Sequence, residues 1–210
     1  YDNAISQKFA TGYPTGMINR INGVAGGSRA AWLDLTKAVL SETAKCGLAI
    51  NTTKSGTNLD VTVKLAIGAE AMPAGNYGLT VLLIEKEMSG TGPGWDQVNY
   101  YSSTRGTNGV NDPSHPFYSQ GDPIVGYVHT NTVRAVLQND PLGDPVSADN
   151  LAASATSEYT YSWDLSGMDS DLQVVAFLSE FTDKPQTQGI ESSYVWNTQI
   201  VNVGENQDFD

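Results

Sequence analysis

Composition and charge limit the classes of function open to this chain. Its 210 residues hold 23 acids and 11 bases, which gives a formal net charge of −12 and a pI of about 4.4. A nucleic-acid partner is not expected, because binding to phosphates requires a basic patch. The single cysteine excludes an internal disulfide and a thiolate metal cluster. The sequence contains no run of 18 apolar residues, so no membrane-spanning helix is predicted.

The first 45 residues differ from the rest in charge. They hold 3 acids and 5 bases, whereas residues 46–210 hold 20 acids and 6 bases. A helix is predicted from an N-cap at Ser28 to about Lys45, with Gly47 as a left-handed stop. Cys46, at the end of this helix, is expected to be a buried and unreactive thiol. Four apolar residues follow helical spacing along one face: Trp32, Leu35, Val39 and Leu40.

After Cys46 the apolar residues recur with a period of two, which is typical of strands with one buried face. The clearest alternation involves Leu59, Val61, Val63, Leu65 and Ile67. Further strands are predicted at 77–84, 124–137 (with a bend near Gly126), 159–163, 172–177 and 193–203. About seven strands with turns between them favour an antiparallel β-sandwich. The acidic segment 205–210 is expected to fray.

The sequence contains no strong catalytic motif. His129 lies within a predicted strand and is interpreted as a structural or sheet-surface residue, while His115 is interpreted as a solvated loop residue. Glu85 and Glu87 share a predicted sheet face and could form a glycosidase pair. A solvated strand end is the preferred interpretation of that pair, because most glutamates are exposed.

Two acidic stretches carry the oxygen ligands that calcium prefers. One contains Asp164, Asp169 and Asp171, and the other spans residues 139–144. Neither has the spacing of an EF-hand, and Asp, Asn and Gly are also the residues that turns require. Asp164, Asp169 and Asp171 are therefore only a weak candidate for a calcium site, and no other cofactor is expected.

Residues 88–122 are rich in Gly, Pro, Ser, Asn and Tyr and form a longer connection than a sandwich requires. Within this segment Trp95, Tyr100 and Tyr101 could stack on sugar rings or anchor a protein partner. The alternative is that these rings cover one end of the core, since large aromatic residues are usually mostly buried. We predict a ligand-binding site at these three residues, provided that the rings are partly exposed.

Three further stretches carry a resemblance to a known family. They are residues 13–20 (YPTGMINR), residues 126–137 (GYVHTNTVRAVL) followed by Gly143 and Asp144, and residues 174–178 (VVAFL). Together they resemble the 28 kDa outer membrane protein family of Bacteroidetes-type bacteria. The resemblance implies a thioredoxin-like domain followed by an immunoglobulin-like β domain, in exported lipoproteins proposed to act in adhesion. It also implies a cis peptide bond at Tyr13–Pro14.

The expected organisation follows from this resemblance. Residues 1–45 would be the last strands and helix of an incomplete thioredoxin-like α/β domain that lacks a C-x-x-C site. Residues 46–204 would be the immunoglobulin-like sandwich, and residues 205–210 an acidic tail. Because the sequence begins at Tyr1, we expect that a leader has been removed, with a lipid anchor possible on the missing part.

The leading hypothesis is a non-enzymatic, exported protein that is associated with the outer membrane. Its function would be adhesion or the binding of a macromolecular partner, a protein or a glycan at the cell envelope. One alternative is a carbohydrate-binding module, which the loop around Trp95 suggests. The other is a thiol-redox or scaffolding protein whose missing N-terminal half carries the site.

Overall fold

The computed structural model describes residues 16–20, 29–92, 94–140, 142–168, 171–183 and 190–209. The chain divides into two compact units, which we call the sheet unit (residues 1–84 and 133–210) and the loop unit (residues 85–132). Two short 3₁₀ helices span Ser103–Asn108 and Asp149–Leu151. The remaining elements are α1 (Arg29–Leu40), β1 (Cys46–Ser55), β2 (Asn58–Ile67), β3 (Asn76–Met88), β4 (His129–Val136), β5 (Asp144–Pro145), β6 (Thr156–Asp164), β7 (Leu172–Asp183), β8 (Ile190–Asn202) and β9 (Asn206–Gln207).

The strands form two antiparallel sheets. The strand order is β6-β2-β1-β9 in the first sheet and β4-β3-β7-β8 in the second, where β5 also pairs with β3. Strands β1 and β2 form a hairpin in which Cys46 lies opposite Ile67 and Ser55 lies opposite Asn58. The hairpin turn contains Gly56 with a φ of 61°, a conformation that favours glycine.

Alternation along β2 explains how the sheet unit builds its core. Asp60 and Lys64 face solvent, while the apolar residues between and beside them are at most 6% exposed. These apolar residues join buried residues of β1, β3 and β7 in one mainly aliphatic cluster. Burial of each such side chain contributes about 1.5–3 kcal/mol. The buried residues of β2 are Leu59, Val61, Val63, Leu65 and Ile67.

The helix is shorter than the sequence predicted. It ends at Leu40, which is 78% exposed, and Cys46 and Gly47 are the first residues of β1 rather than the end of a helix. The ten-residue pairing of β1 with β2 supplies hydrogen bonds that the local helix signals around Lys45 cannot match. The predicted cap Ser28 lies outside the described residues. Three residues of the predicted inner face are half-buried: Trp32, Leu35 and Val39.

Two segments of the structure differ from their predictions. The strand predicted at 124–137 begins only at His129, because Gly126 has a φ of 69° and Ile124 pairs with Gln97 in an isolated bridge. The segment expected to fray contains β9, which pairs with Ile50 and Asn51 of β1. The other predicted strands are present, with longer bounds in the structure.

The coarser fold class, mostly β with two antiparallel sheets, is confirmed. The immunoglobulin-like arrangement and the thioredoxin-like origin of residues 1–45 stay predictions. Tyr13–Pro14 lies outside the described residues, and the cis peptide bond within them is Asp122–Pro123. None of the described helices is both long and apolar enough to cross a membrane.

Candidate binding site

The three aromatic residues predicted as a ligand site lie in the loop unit, in different surroundings. Tyr100 is 57% exposed, and the guanidinium carbon of Arg105 lies 4.0 Å from the centre of its ring. Trp95 and Tyr101 are half-buried. Tyr100 therefore does not fit the alternative that all three rings cover a core.

Tyr101 and Trp95 form the two ends of a continuous series of ring contacts, which we call the aromatic row. The ring of Tyr101 stacks on His115 with centroids 3.6 Å apart and planes 7° apart. The following edge-to-face contacts have centroid distances of 5.3, 6.2, 5.0 and 6.3 Å. Such pairs add about 0.5–1.5 kcal/mol each beyond area burial. In order, the row is Tyr101, His115, Phe117, Tyr127, His129 and Trp95.

Both histidines of the chain belong to the aromatic row and bond to the main chain. His115 Nδ1 accepts a hydrogen bond from the Phe117 amide at 3.2 Å, so the neutral ring carries its proton on Nε2. His129 Nε2 lies 2.8 Å from the carbonyl oxygen of Trp95 and donates to it, since a carbonyl only accepts. His115 is half-buried, so its prediction as a solvated residue is wrong. In both cases the bonded ring nitrogen holds loop backbone in place.

Asn99 is the main organiser of the loop unit and is 2% exposed. Its side-chain amide nitrogen donates to the carbonyls of Phe117 (2.8 Å) and Gly121 (3.0 Å). Its side-chain oxygen accepts from the amide of Tyr101 at 3.1 Å. One buried amide group thus ties the segment that carries Tyr100 and Tyr101 to residues about twenty positions further along the chain.

Asp122 belongs to the same hydrogen-bond network as Asn99. Its carboxylate accepts from the backbone amide of Asn99 at 2.9 Å and forms an ion pair with Arg105. The Asn99 hydrogen bond, followed by the Arg105 hydrogen bond, holds the pKa of Asp122 below its usual value. Arg105, fixed by this carboxylate, in turn covers one face of Tyr100.

Trp95 is held against backbone rather than by a hydrophobic core. A Cβ atom added at Gly90 would come within 2.3 Å of the Trp95 indole, so only glycine allows this contact. The Trp95 amide also bonds to the carbonyl of Gly92 at 3.2 Å. The indole is therefore fixed in place while it remains half-buried.

Exposed apolar side chains are concentrated in the loop unit. Within the described residues nine large apolar side chains are exposed, and five of them lie between residues 85 and 132. Large apolar surface that stays in water often marks a place where a partner binds. The five are Val98, Tyr100, Val110, Val125 and Val128, with exposures of 50%, 57%, 50%, 79% and 45%.

A cavity of about 380 Å³ lies in the sheet unit, between the end of α1 and β8. Two of its aromatic side chains, Tyr194 and Trp196, donate hydrogen bonds to carboxylates. Tyr194 donates to the carboxylate of Glu42, and burial, followed by this hydrogen bond, raises the pKa of Tyr194 to about 12. The indole nitrogen of Trp196 donates to Glu180 at 3.1 Å.

The weak calcium candidate gains no support from the described residues. Asp164 accepts hydrogen bonds from the amide and hydroxyl of Ser166, at 3.0 and 2.7 Å, in a turn between strands. Asp169 lies outside the described residues, and Asp171 is described. Among the described residues no group of three His, Cys, Asp or Glu side chains could hold a metal ion.

Glu85 and Cys46, two residues interpreted from the sequence, are both buried. Glu85 is 3% exposed, so the prediction of a solvated strand end is wrong for this residue, whereas Glu87 is exposed. Cys46 is 4% exposed, and burial raises the pKa of its thiol to about 11. The thiol is therefore protonated near neutral pH and poorly reactive, as the sequence predicted.

Comparison with known proteins adds one finding. Residues 2–207 match the family model described as outer membrane protein Omp28. No curated protein and no solved structure matches the chain.

Proposed function

The chain belongs to the outer membrane protein Omp28 family and is associated with the outer membrane, and from this premise we propose that it is a non-enzymatic protein that binds a macromolecular partner. The partner would be a protein or glycan of the cell envelope or of a surface to which the cell adheres. Export as a lipoprotein is part of the same proposal.

The observation that carries the proposal is the exposed apolar surface of the loop unit. Five exposed apolar residues lie on a segment whose backbone is fixed by Asn99, Asp122 and the aromatic row. Tyrosine is favoured at binding hot spots because it supplies a large contact area with few rotatable bonds. Tyr100, with Arg105 packed on its ring, combines two residue types that are enriched in interfaces.

The use of the two histidines favours binding over catalysis. Each ring contributes to the packing of the aromatic row, and each is hydrogen-bonded to a backbone group. A general base needs a nucleophile within hydrogen-bond reach instead. The net charge of −12 also favours a protein or glycan over a nucleic acid.

The test is an adhesion assay with beads coated with the full chain and presented to immobilised fibronectin, laminin, type IV collagen and mucin. The variant replaces Trp95, Tyr100 and Tyr101 together by alanine. Its matched control replaces three exposed apolar residues of the sheet unit, Leu33, Leu40 and Ile200, by alanine. We expect adhesion to at least one surface, lost in the first variant and kept in the second.

Circular dichroism and gel filtration establish that both triple variants are folded. Equal adhesion of wild type and of the folded aromatic variant would contradict the proposal. Equal loss in both triple variants would contradict it as well, because adhesion would then follow total apolar surface rather than the loop unit.

A second candidate function is carbohydrate binding. The observation that favours it is a groove of the loop unit whose lining includes the polar residues Ser103, Thr107 and Asn111 and no charged side chain. In that case the partner of the loop unit would be a glycan, and the mucin surface would be bound more strongly than the protein surfaces.

A further inference from the structure

The loop unit contains a groove of about 300 Å³ on the 3₁₀ segment Ser103–Asn108, which is kinked at Gly106, and on the turn that follows it. The turn folds back, and the amide of Val110 donates to the carbonyl of Tyr100 at 2.7 Å. A Cβ atom added at Gly109 would lie 2.5 Å from that carbonyl oxygen, so glycine is needed for the close approach. Two glycines, Gly106 and Gly109, line the groove. The other lining residues are Ser102, Ser103, Thr107, Val110, Asn111 and Tyr118.

Several polar groups of this groove are not used by the protein itself. Within the described part of the chain the hydroxyls of Ser103 and Thr107 and the amide nitrogen of Asn111 have no hydrogen-bond partner, and all three residues are exposed. Tyr118 donates to the side-chain oxygen of Asn111 at 3.3 Å, which orients the amide. Ser102 differs, because its hydroxyl is buried and donates to the carbonyl of Gln120 at 2.7 Å.

The lining carries no charged side chain, although the chain as a whole has a net charge of −12. The nearest cation, Arg105, is engaged by Asp122 and by the ring of Tyr100. The groove therefore lacks the groups that recognise phosphate, sulfate or carboxylate. Hydroxyls and an amide both donate and accept, which suits a ligand whose own groups are hydroxyls. Val110, 50% exposed, adds an apolar contact.

We propose that this groove binds a neutral oligosaccharide, through the hydroxyls of Ser103 and Thr107 and the amide of Asn111. The exposed ring of Tyr100 would contact the next sugar unit of the oligosaccharide. The backbone carbonyl of the same residue accepts the hydrogen bond that holds Val110 in place. This inference rests on the proposal that the loop unit is the binding part of the protein and adds the chemical class of a ligand.

The test uses isothermal titration calorimetry on the full chain. The probes are neutral hexasaccharides of α-1,4-glucose, β-1,4-glucose, mannose, xylose, galactose and N-acetylglucosamine, with hexagalacturonate as the charged comparison. The variant is Ser103→Ala combined with Thr107→Val. Its matched control, Ser119→Ala combined with Thr130→Val, removes the same groups from exposed positions of the loop unit outside the groove.

We expect at least one neutral hexasaccharide to bind, hexagalacturonate to bind more weakly, and the groove variant to lose roughly tenfold in affinity for two hydrogen bonds. The control should bind as the wild type does. Melting temperatures should be unchanged in both, because none of the hydroxyls removed has a hydrogen-bond partner among the residues that the structure describes.

Absence of binding to all six neutral sugars would overturn the proposal, as would equal loss of affinity in the groove variant and its control. A third contrary result would come from an array of uncharged peptides. If the wild type binds a peptide, the groove variant does not, and no sugar binds, the ligand of the groove is a peptide. The two proposals can fail separately, because the groove variant retains Trp95, Tyr100 and Tyr101 and can be compared with the aromatic triple variant in the adhesion assay.

Discussion

In the sheet unit the buried side chains are mainly aliphatic and most of them lie in paired strands, whereas the buried residues described in the loop unit are Glu85, Asn99 and Ser102. No large apolar residue in the described part of the loop unit is buried, and five are exposed. The loop unit is instead held by ring contacts and by side chains that bond to backbone groups.

This difference has a functional meaning. An aliphatic core stabilises a fold by removing apolar groups from water, so those groups cannot meet a partner. Directed hydrogen bonds and ring contacts can fix a loop while its apolar side chains stay at the surface. A rigid scaffold that presents loops in this way is a common arrangement for binding proteins.

The largest effect is expected from a cavity in the aliphatic core. Leu65→Ala removes a side chain that is 0% exposed, and we expect a loss of about 2–5 kcal/mol in the free energy of unfolding. Urea denaturation followed by fluorescence measures it. The matched control is Lys64→Ala, whose exposed side chain pairs with Glu158 at 3.8 Å and should matter by less than about 1 kcal/mol. Equal losses of unfolding free energy in Leu65→Ala and Lys64→Ala would contradict the claim that the stability of the sheet unit depends on this core.

A second substitution tests whether the loop unit depends on hydrogen bonds. Asn99→Ala leaves two carbonyls and one amide without their side-chain partner, at a cost of about 1–3 kcal/mol. Hydrogen exchange should accelerate in residues 97–122 and remain unchanged in β1 and β2. The exposed Asn108→Ala is the control and should leave exchange unaltered. Acceleration spread evenly over both units would indicate that Asn99 supports the whole chain instead.

A third prediction concerns the pH dependence that Cys46 gives to the sheet unit. Burial raises the pKa of this thiol from 9.0 to about 11, so the folded state holds its proton more tightly than the unfolded state does. The stabilisation is complete below pH 9 and is lost as pH rises through 11, by about 2 kcal/mol at pH 10.5. The urea midpoint of the wild type should therefore fall more steeply between pH 8 and pH 10.5 than that of Cys46→Ala. Parallel curves would show that the thiol does not titrate with unfolding.

The sequence predicted most of the sheet unit because its strands carry their own pattern. β2 alternates buried and exposed residues along its length, and this period can be seen without a structure. β1 escaped prediction because Leu48, Ala49 and Ile50 are buried in succession, which breaks the alternation, and because Lys45 and Gly47 resemble the end of a helix. Pairing with β2 decides the conformation of that segment, and this pairing is not a local property.

The candidate site was predictable only in part. Composition drew attention to Trp95, Tyr100 and Tyr101, and the structure places all three in one unit. The histidines of the aromatic row and the role of Asn99 were missed, because several of the contacts that hold them join residues 18 to 34 positions apart, as Asn99 with Phe117 and His129 with Trp95. No period or motif links such positions, since the loops that bring them together are irregular.

Binding through the loop unit and not through the sheet unit is the central claim, and one pair of substitutions tests it most directly. Tyr100→Ser removes an exposed ring of the loop unit, and Ile200→Ser removes an exposed apolar side chain of β8. Both residues lie at the surface, so both variants should fold as the wild type does. In the bead assay, on the surface that the wild type binds, we expect Tyr100→Ser to lower adhesion about tenfold or more, as at a hot spot, and Ile200→Ser to leave it unchanged. Unchanged adhesion in Tyr100→Ser, or a loss confined to Ile200→Ser, would contradict the assignment.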